Sequence, residues 1–160
     1  MGEPALRTSY PPPSRSVPVK HVSELLQSKG TEIWAIDPES SVFEAIQIMA
    51  DQHCGALLVM LGSDLQGIVS ERDYARKVIL EGRASKDTMV AEIMSVDIIS
   101  ASPEMETREC LELMTKNRIR HLPVMENETV VGVLSLGDVA GSIMEQQNTM
   151  LEEFQRYVSG

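Results

Sequence analysis

Apolar residues recur along this chain at two spacings. Val42, Ala45, Ile46 and Met49 fall on one helical face, with Glu44, Gln47 and Asp51 opposite, a period that predicts an amphipathic helix. Ser41 and Glu44 have capping-box spacing at its start. Cys110, Leu111 and Met114 form the corresponding face further along. Residues 56–60 and 121–125 are near-continuous apolar runs of strand length. Gly62-Ser63-Asp64 and Glu126-Asn127-Glu128 follow them and lead into residues 65–70 and 130–135, which predicts two hairpins. Short strands are expected at 33–36 and 98–101, each ended by a proline, Pro38 or Pro103. Second helices are expected to begin near Glu71 and Leu136, and a separate last helix to cover residues 142–157.

The pattern occurs twice. At an offset of 65, residues 33–79 lie over 98–144 without a gap. Pro38 falls on Pro103, Glu44 on Glu109, Met49 on Met114, Gly67 on Gly132, Ser70 on Ser135 and Asp73 on Asp138. Upstream, Val22-Ser-Glu-Leu-Leu resembles Val90-Ala-Glu-Ile-Met at an offset of 68. Such self-similarity is settled before any motif is read. One strand-helix-strand-strand-helix unit has a sheet too small to cover its own apolar faces, and two copies can cover each other. The expected fold is therefore α/β (α+β): two βαββα repeats packed about a pseudo-two-fold axis. A flexible tail at 1–18 precedes repeat one at 19–82 and repeat two at 83–145, and a helical extension closes the chain at 146–160.

Composition narrows the function. Lys plus Arg is 14 against 24 for Asp plus Glu, a formal charge of −10, and aromatic residues are 4%. That balance argues against a nucleic-acid binder. No apolar stretch approaches the ~20 residues of a membrane span. Two cysteines are too few for a disulfide framework and point to a reducing compartment. The cytoplasm is expected, with an organellar matrix as the alternative. The tail, with Pro11, Pro12, Pro13 and Pro18, lacks the apolar core of a secretory signal.

The chemistry concentrates in a doubled motif. Ser70 and Asp73 stand three apart at a strand-to-helix junction, and so do Ser135 and Asp138. Unpaired amides there favour phosphate, a serine hydroxyl adds a donor, and a carboxylate can accept from both hydroxyls of a ribose. The same Ser-x-x-Asp spacing is also a helix cap, which contributes about 1 kcal/mol with no ligand. Both roles are compatible. The densest basic stretches are Lys116, Arg118, Arg120 and His121, then Arg72, Arg76 and Lys77, with charged helix ends as the alternative explanation.

Gly67-Ile68-Val69-Ser70-Glu71-Arg72-Asp73 and Gly132-Val133-Leu134-Ser135-Leu136-Gly137-Asp138, together with Arg118-Ile119-Arg120-His121-Leu122-Pro123-Val124, resemble the motifs of cystathionine-β-synthase (CBS) domains arranged as a tandem pair, or Bateman module. The first copy, at Gly55-Ala56-Leu57-Leu58-Val59, lacks the basic residues and the proline. The resemblance covers residues 19–145 and implies a stand-alone regulatory module that senses AMP, ADP or ATP, forms a homodimer and signals to a partner protein not identified by the sequence. It implies two clefts. The Asp138 cleft would draw on Val133, Ser135, Gly137, Arg120 and His121, with Thr31, Ile33, Trp34, Cys54 and Gly55 from the first repeat. The Asp73 cleft would draw on Ile68, Ser70, Arg72 and Gly55, with Val96, Ile98, Ile99 and Ile119 from the second. NAD(H) is the rival ligand, and a nucleotide-independent dimerisation scaffold the rival class.

No enzymatic activity, catalytic cofactor or metal site is expected. Ser70, Asp73 and His121 are the residue types of a hydrolase triad, but no nucleophile elbow accompanies them. His21, His53 and His121 lack metal-ligand spacing, and Cys54 lies in no Cys-x-x-Cys. Cys110 reads as a core thiol, and Cys54 as a candidate redox residue beside a cleft.

Overall fold

The computed structural model describes residues 20–159. The proline-rich tail expected at 1–18 lies outside the described residues. The elements are α1 (Val22–Lys29), β1 (Ala35–Ile36), α2 (Val42–Gln52), β2 (Ala56–Leu61), β3 (Asp64–Ser70), α3 (Glu71–Tyr74), α4 (Thr107–Asn117), β4 (His121–Glu126), β5 (Thr129–Ser135) and α5 (Leu136–Ser159). A π-helical turn, Ala75–Ile79, continues α3, and two 3₁₀ turns, Ser85–Asp87 and Val90–Glu92, join the halves. The architecture is the expected one: two βαββα repeats about a pseudo-two-fold axis, with a long C-terminal helix.

The halves match in detail. Each hairpin is antiparallel, with Leu57 opposite Val69 in the first and Leu122 opposite Leu134 in the second. Each register shifts at the same place, between Val59 and Met60 and between Val124 and Met125. Helix α2 begins where Ser41 Oγ accepts from the Glu44 amide at 3.1 Å. Helices α2 and α4 both close on a left-handed residue, His53 and Arg118, each at φ 55°.

Two expectations need correction. The strand expected at 98–101 shrinks to one parallel bridge, Ala101 with Val124. In the first half the Leu58 amide donates to the Trp34 carbonyl at 3.0 Å and holds β1 beside β2. The equivalent residue is Pro123, which has no N–H to donate, so the ladder stops short. The separate helix expected at 142–157 is instead the continuation of α5, which starts at Leu136. Gly137 and Gly141 weaken that helix without breaking it, because Val139 and Ser142 are buried along it.

The core is divided in an unexpected way. Val22, Leu25 and Leu26 of α1 precede the first repeat but pack with Ala101, Cys110, Met114, Leu122, Val124, Leu134 and Val139 of the second. Conversely Val90 and Ile93, which lead into the second repeat, pack with Ile36, Val42, Ala45, Leu57, Val69 and Val78 of the first. Each repeat is thus completed by the leading segment of the other. Backbone bonds tie the exchange: the Val22 amide donates to the Met105 carbonyl at 2.8 Å, and the Val90 amide to the Ser40 carbonyl at 2.8 Å.

The two motif glycines make room for the exchanged segments. A Cβ on Gly67 would stand 2.7 Å from the Ser95 carbonyl oxygen and 2.9 Å from Met94 Sδ. A Cβ on Gly132 would stand 2.7 Å from Leu26 Cδ2. The first obstacle is backbone, itself paired with Ile68 by two hydrogen bonds; the second is the end of a rotatable side chain. Gly67→Ala should therefore destabilise the protein by about 1–3 kcal/mol, and Gly132→Ala by less. Urea unfolding of both variants checks the order, and a larger loss for Gly132→Ala would contradict it.

Candidate functional site

Both Ser-x-x-Asp motifs form complete helix caps or the greater part of one. At α3 the Ser70 amide and hydroxyl donate to Asp73 Oδ2 at 2.9 and 3.0 Å, and the Asp73 amide donates back to Ser70 Oγ at 3.2 Å. At α5 the Ser135 amide donates to Asp138 Oδ2 at 2.9 Å, and the Asp138 amide to Ser135 Oγ at 3.1 Å. The capping alternative is therefore real in both copies. It also fixes each carboxylate in the lining of a cleft between the repeats.

A lysine secures each aspartate. Lys29 Nζ, at the end of α1, lies 2.9 Å from Asp138 Oδ2 and donates to the Val133 carbonyl at 2.6 Å. Lys77 Nζ lies 3.3 Å from Asp73 Oδ1 and donates to the Ile93 carbonyl at 2.9 Å. Both lysines thus bridge an aspartate half to an exchanged segment. Burial pushes the Asp138 carboxyl up, but the Ser135 amide and the Lys29 ammonium more than offset it and hold it below the ordinary value.

The larger cleft encloses about 580 Å³. Of the residues expected around Asp73, it brings together Gly55, Ile68, Ser70, Arg72, Ile98, Ile99 and Ile119. Val96 stays outside it, with 63% of its surface exposed, while its neighbour Asp97 turns in. The smaller cleft encloses about 330 Å³. It gathers Trp34, Cys54, Gly55, His121, Val133, Ser135 and Asp138 as expected, but not Thr31, Ile33, Gly137 or Arg120. In the segment before β1, Glu32 and Trp34 line the cavity while Thr31 and Ile33 do not. Arg120, expected beside Asp138, lines the Asp73 cleft instead. Its neighbour His121 opens β4 and lines both cavities, as do Gly55 and Ile68.

Lys29 was invisible to sequence reasoning, because only the exchange of α1 brings it to Asp138. Arg76 and Arg118 line the larger cleft; their place in the basic stretches was the available signal. Cys54 borders the smaller cleft, and burial raises its thiol above the usual value, which disfavours the thiolate that redox chemistry uses. Burial also pushes the Cys110 thiol up to about 11, as a core cysteine should be. Among the described residues no His, Cys, Asp and Glu group could hold a metal ion, and no helix is long and apolar enough to cross a membrane.

Two repeats of matched topology, exchanged leading segments and a capped aspartate at each inter-repeat cleft define a class. The CBS domain family matches residues 16–79 and again 90–145, and the chain belongs to that family as a tandem pair. It is 34% identical over 149 residues to the mitochondrial CBS domain-containing protein CBSX3 of Arabidopsis thaliana, covering 87% of this chain and 72% of that one. A CBS-domain structure from Burkholderia ambifaria MC40-6, ascribed to signal transduction, superposes with a TM-score of 0.78 at 43% identity, covering 80% of this chain and 96% of the other. The CBS pair of MJ0100, solved with 5′-methylthioadenosine and S-adenosyl-L-methionine, shares the fold at TM-score 0.72 and 21% identity, covering 81% and 99%. The chain is thus a pair of CBS domains in tandem.

His121 offers a pH test of the wall between the clefts. Burial lowers its pKa below 6.5, Arg120 and Lys29 lower it further, and Asp138 opposes them. The unfolded chain therefore binds the proton more readily. Stability attributable to His121 is intact above about pH 6.5 and falls as the pH drops from there toward the lower folded value. Thermal unfolding across this range should show a steeper acid-side loss for the natural protein than for His121→Gln; parallel curves would contradict the assignment.

Proposed function

We propose that this protein is an adenine-nucleotide sensor that binds AMP, ADP or ATP between its repeats and passes the ligand state to a partner protein. The observation that carries the reading is the pair of inter-repeat clefts, each with a capped serine–aspartate pair at its edge. The cap leaves the carboxylate rigid, and a rigid acceptor loses little freedom when two ribose hydroxyls bond to it. Apolar residues such as Ile98, Ile99 and Ile119 in one cleft and Trp34 and Val133 in the other supply surfaces for a base. The adenosyl ligands held by the MJ0100 pair, a protein of the same fold, support the ligand class. The site residues are those named above for the two clefts, with Lys29, Arg76 and Arg118 added.

Signalling follows from cleft placement. A ligand that touches both repeats binds some repeat-to-repeat arrangements better than others and shifts the population by that difference. A homodimer is the expected assembly, and the regulated protein docks on whichever arrangement the ligand favours. The compartment proposed is the cytoplasm or an organellar matrix, the latter in line with the mitochondrial relative. One observation favours NAD(H) as a second reading: Gly55, Ile68 and His121 form a wall common to both clefts, so a dinucleotide has adjoining sites to span. No comparable feature favours a ligand-free scaffold.

Calorimetric titration with AMP, ATP and NADH tests the proposal. Binding of at least one adenine nucleotide is expected, and Asp138→Asn, which keeps an acceptor for the Ser135 amide, should lose about 2–3 kcal/mol at its own cleft, roughly 30- to 150-fold in affinity. Absence of both heat and a melting shift at saturating ligand would overturn the sensor reading, and stronger binding of NADH than of either mononucleotide would favour the dinucleotide.

A further inference from the structure

The two clefts are built at equivalent positions of one repeat, so a difference between them is a difference in chemistry rather than in scaffold. At the offset of 65, Arg72 corresponds to Gly137, Arg76 to Gly141, Arg118 to His53 and Arg120 to Gly55. All four arginines line the larger cleft. Their counterparts, two in each repeat, are three glycines and a histidine. The backbone at Arg118 and His53 is the same, φ 55° in both, so only the side chain has changed.

The acidic groups do not cancel this excess. Glu71, Asp73 and Asp97 line the larger cleft, but Asp73 is already paired with Lys77. In the smaller cleft Lys29 is the lone Lys or Arg among the described lining residues, and it is committed to Asp138 and to the Val133 carbonyl. Glu32 adds a further carboxylate there. In a chain of net charge −10, a polyanion is drawn only where positive charge is concentrated locally. Guanidinium forks suit phosphate oxygens, which they bind in bidentate fashion. Size runs the same way, about 580 Å³ against about 330 Å³.

Resting on the reading of both clefts as adenine-nucleotide sites, we infer that they divide ligands by phosphate. The Asp73 cleft takes a nucleoside di- or triphosphate, whose chain meets Arg72 and Arg76 from one repeat and Arg118 and Arg120 from the other. The Asp138 cleft takes adenosine or an adenosine derivative without a phosphate chain. Because the phosphate chain is gripped by both repeats, the larger cleft reports the triphosphate and the smaller one the nucleoside, and the two signals enter one molecule at adjoining sites.

Titration of the full chain with ATP and with adenosine, at low and high salt, tests the division. The four arginines are exposed, so an Arg118→Gln/Arg120→Gln double variant keeps its fold, which an unchanged melting temperature verifies. That variant should bind ATP about tenfold or more weakly and adenosine as before. Asp138→Asn should show the reverse, and high salt should weaken ATP alone. The division is overturned if the double variant binds ATP normally, if Asp138→Asn abolishes ATP binding, or if ATP and adenosine compete for one site. If neither ligand binds the natural protein, the nucleotide reading itself fails, a result distinct from two ligands sharing one cleft.

Discussion

Each half of this molecule is finished by a piece of the other, and the rest of the structure depends on that exchange. A sheet of two or three short strands buries too little on its own. Val22, Leu25 and Leu26 close the core of the second repeat, and Val90 and Ile93 that of the first. Burial of side chains of this size is worth roughly 1.5–3 kcal/mol each, a large fraction of the net stability of a domain. The pseudo-two-fold arrangement is thus a condition of folding, and neither repeat is expected to stand without the other's leading segment.

The clefts are consequences of the same exchange. Gly67 and Gly132 carry no side chain because Ser95 and Leu26 arrive there, and each glycine lies three residues before the serine that caps the next helix. The segment after β3 and the segment after β5 therefore start helices at the seam between repeats. Lys77 and Lys29 then tie Asp73 and Asp138 to the carbonyl groups of Ile93 and Val133. Any ligand that engages these aspartates acts on groups that also fasten the exchanged segments. That is a physical route from occupancy of a cleft to the relation between the repeats, which a site inside one repeat would lack.

Much of this was legible in the amino-acid order. The hairpins, the helix capped by Ser41 and the duplication followed from periodicity and from Gly67, Ser70 and Asp73 recurring as Gly132, Ser135 and Asp138. The exchange was not, because α1 adjoins the first repeat in sequence and only tertiary packing sends Leu26 to Gly132. Lys29 stayed hidden for the same reason. The shortened strand at Ala101 had a visible cause, Pro123 in place of Leu58, whose weight depends on knowing that the Leu58 amide is the one that holds β1. The helix expected at 142–157 is one with the helix that starts at Leu136, since burial of Val139 and Ser142 along it is not visible in the residue order. Arg120, expected beside Asp138, lines the Asp73 cleft, while its neighbour His121 reaches both cavities; that split depends on tertiary placement, which the residue order does not carry.

In the proposed complex an adenine nucleotide sits between the repeats with its ribose on a capped aspartate. A crystal structure of the protein with bound ATP would show whether it does. Both ribose hydroxyls should lie within hydrogen-bonding distance of the Asp73 or Asp138 carboxylate, with the base against apolar side chains of the same cleft. Nucleotide bound elsewhere on the surface, with both aspartates turned only toward their caps and lysines, would contradict it.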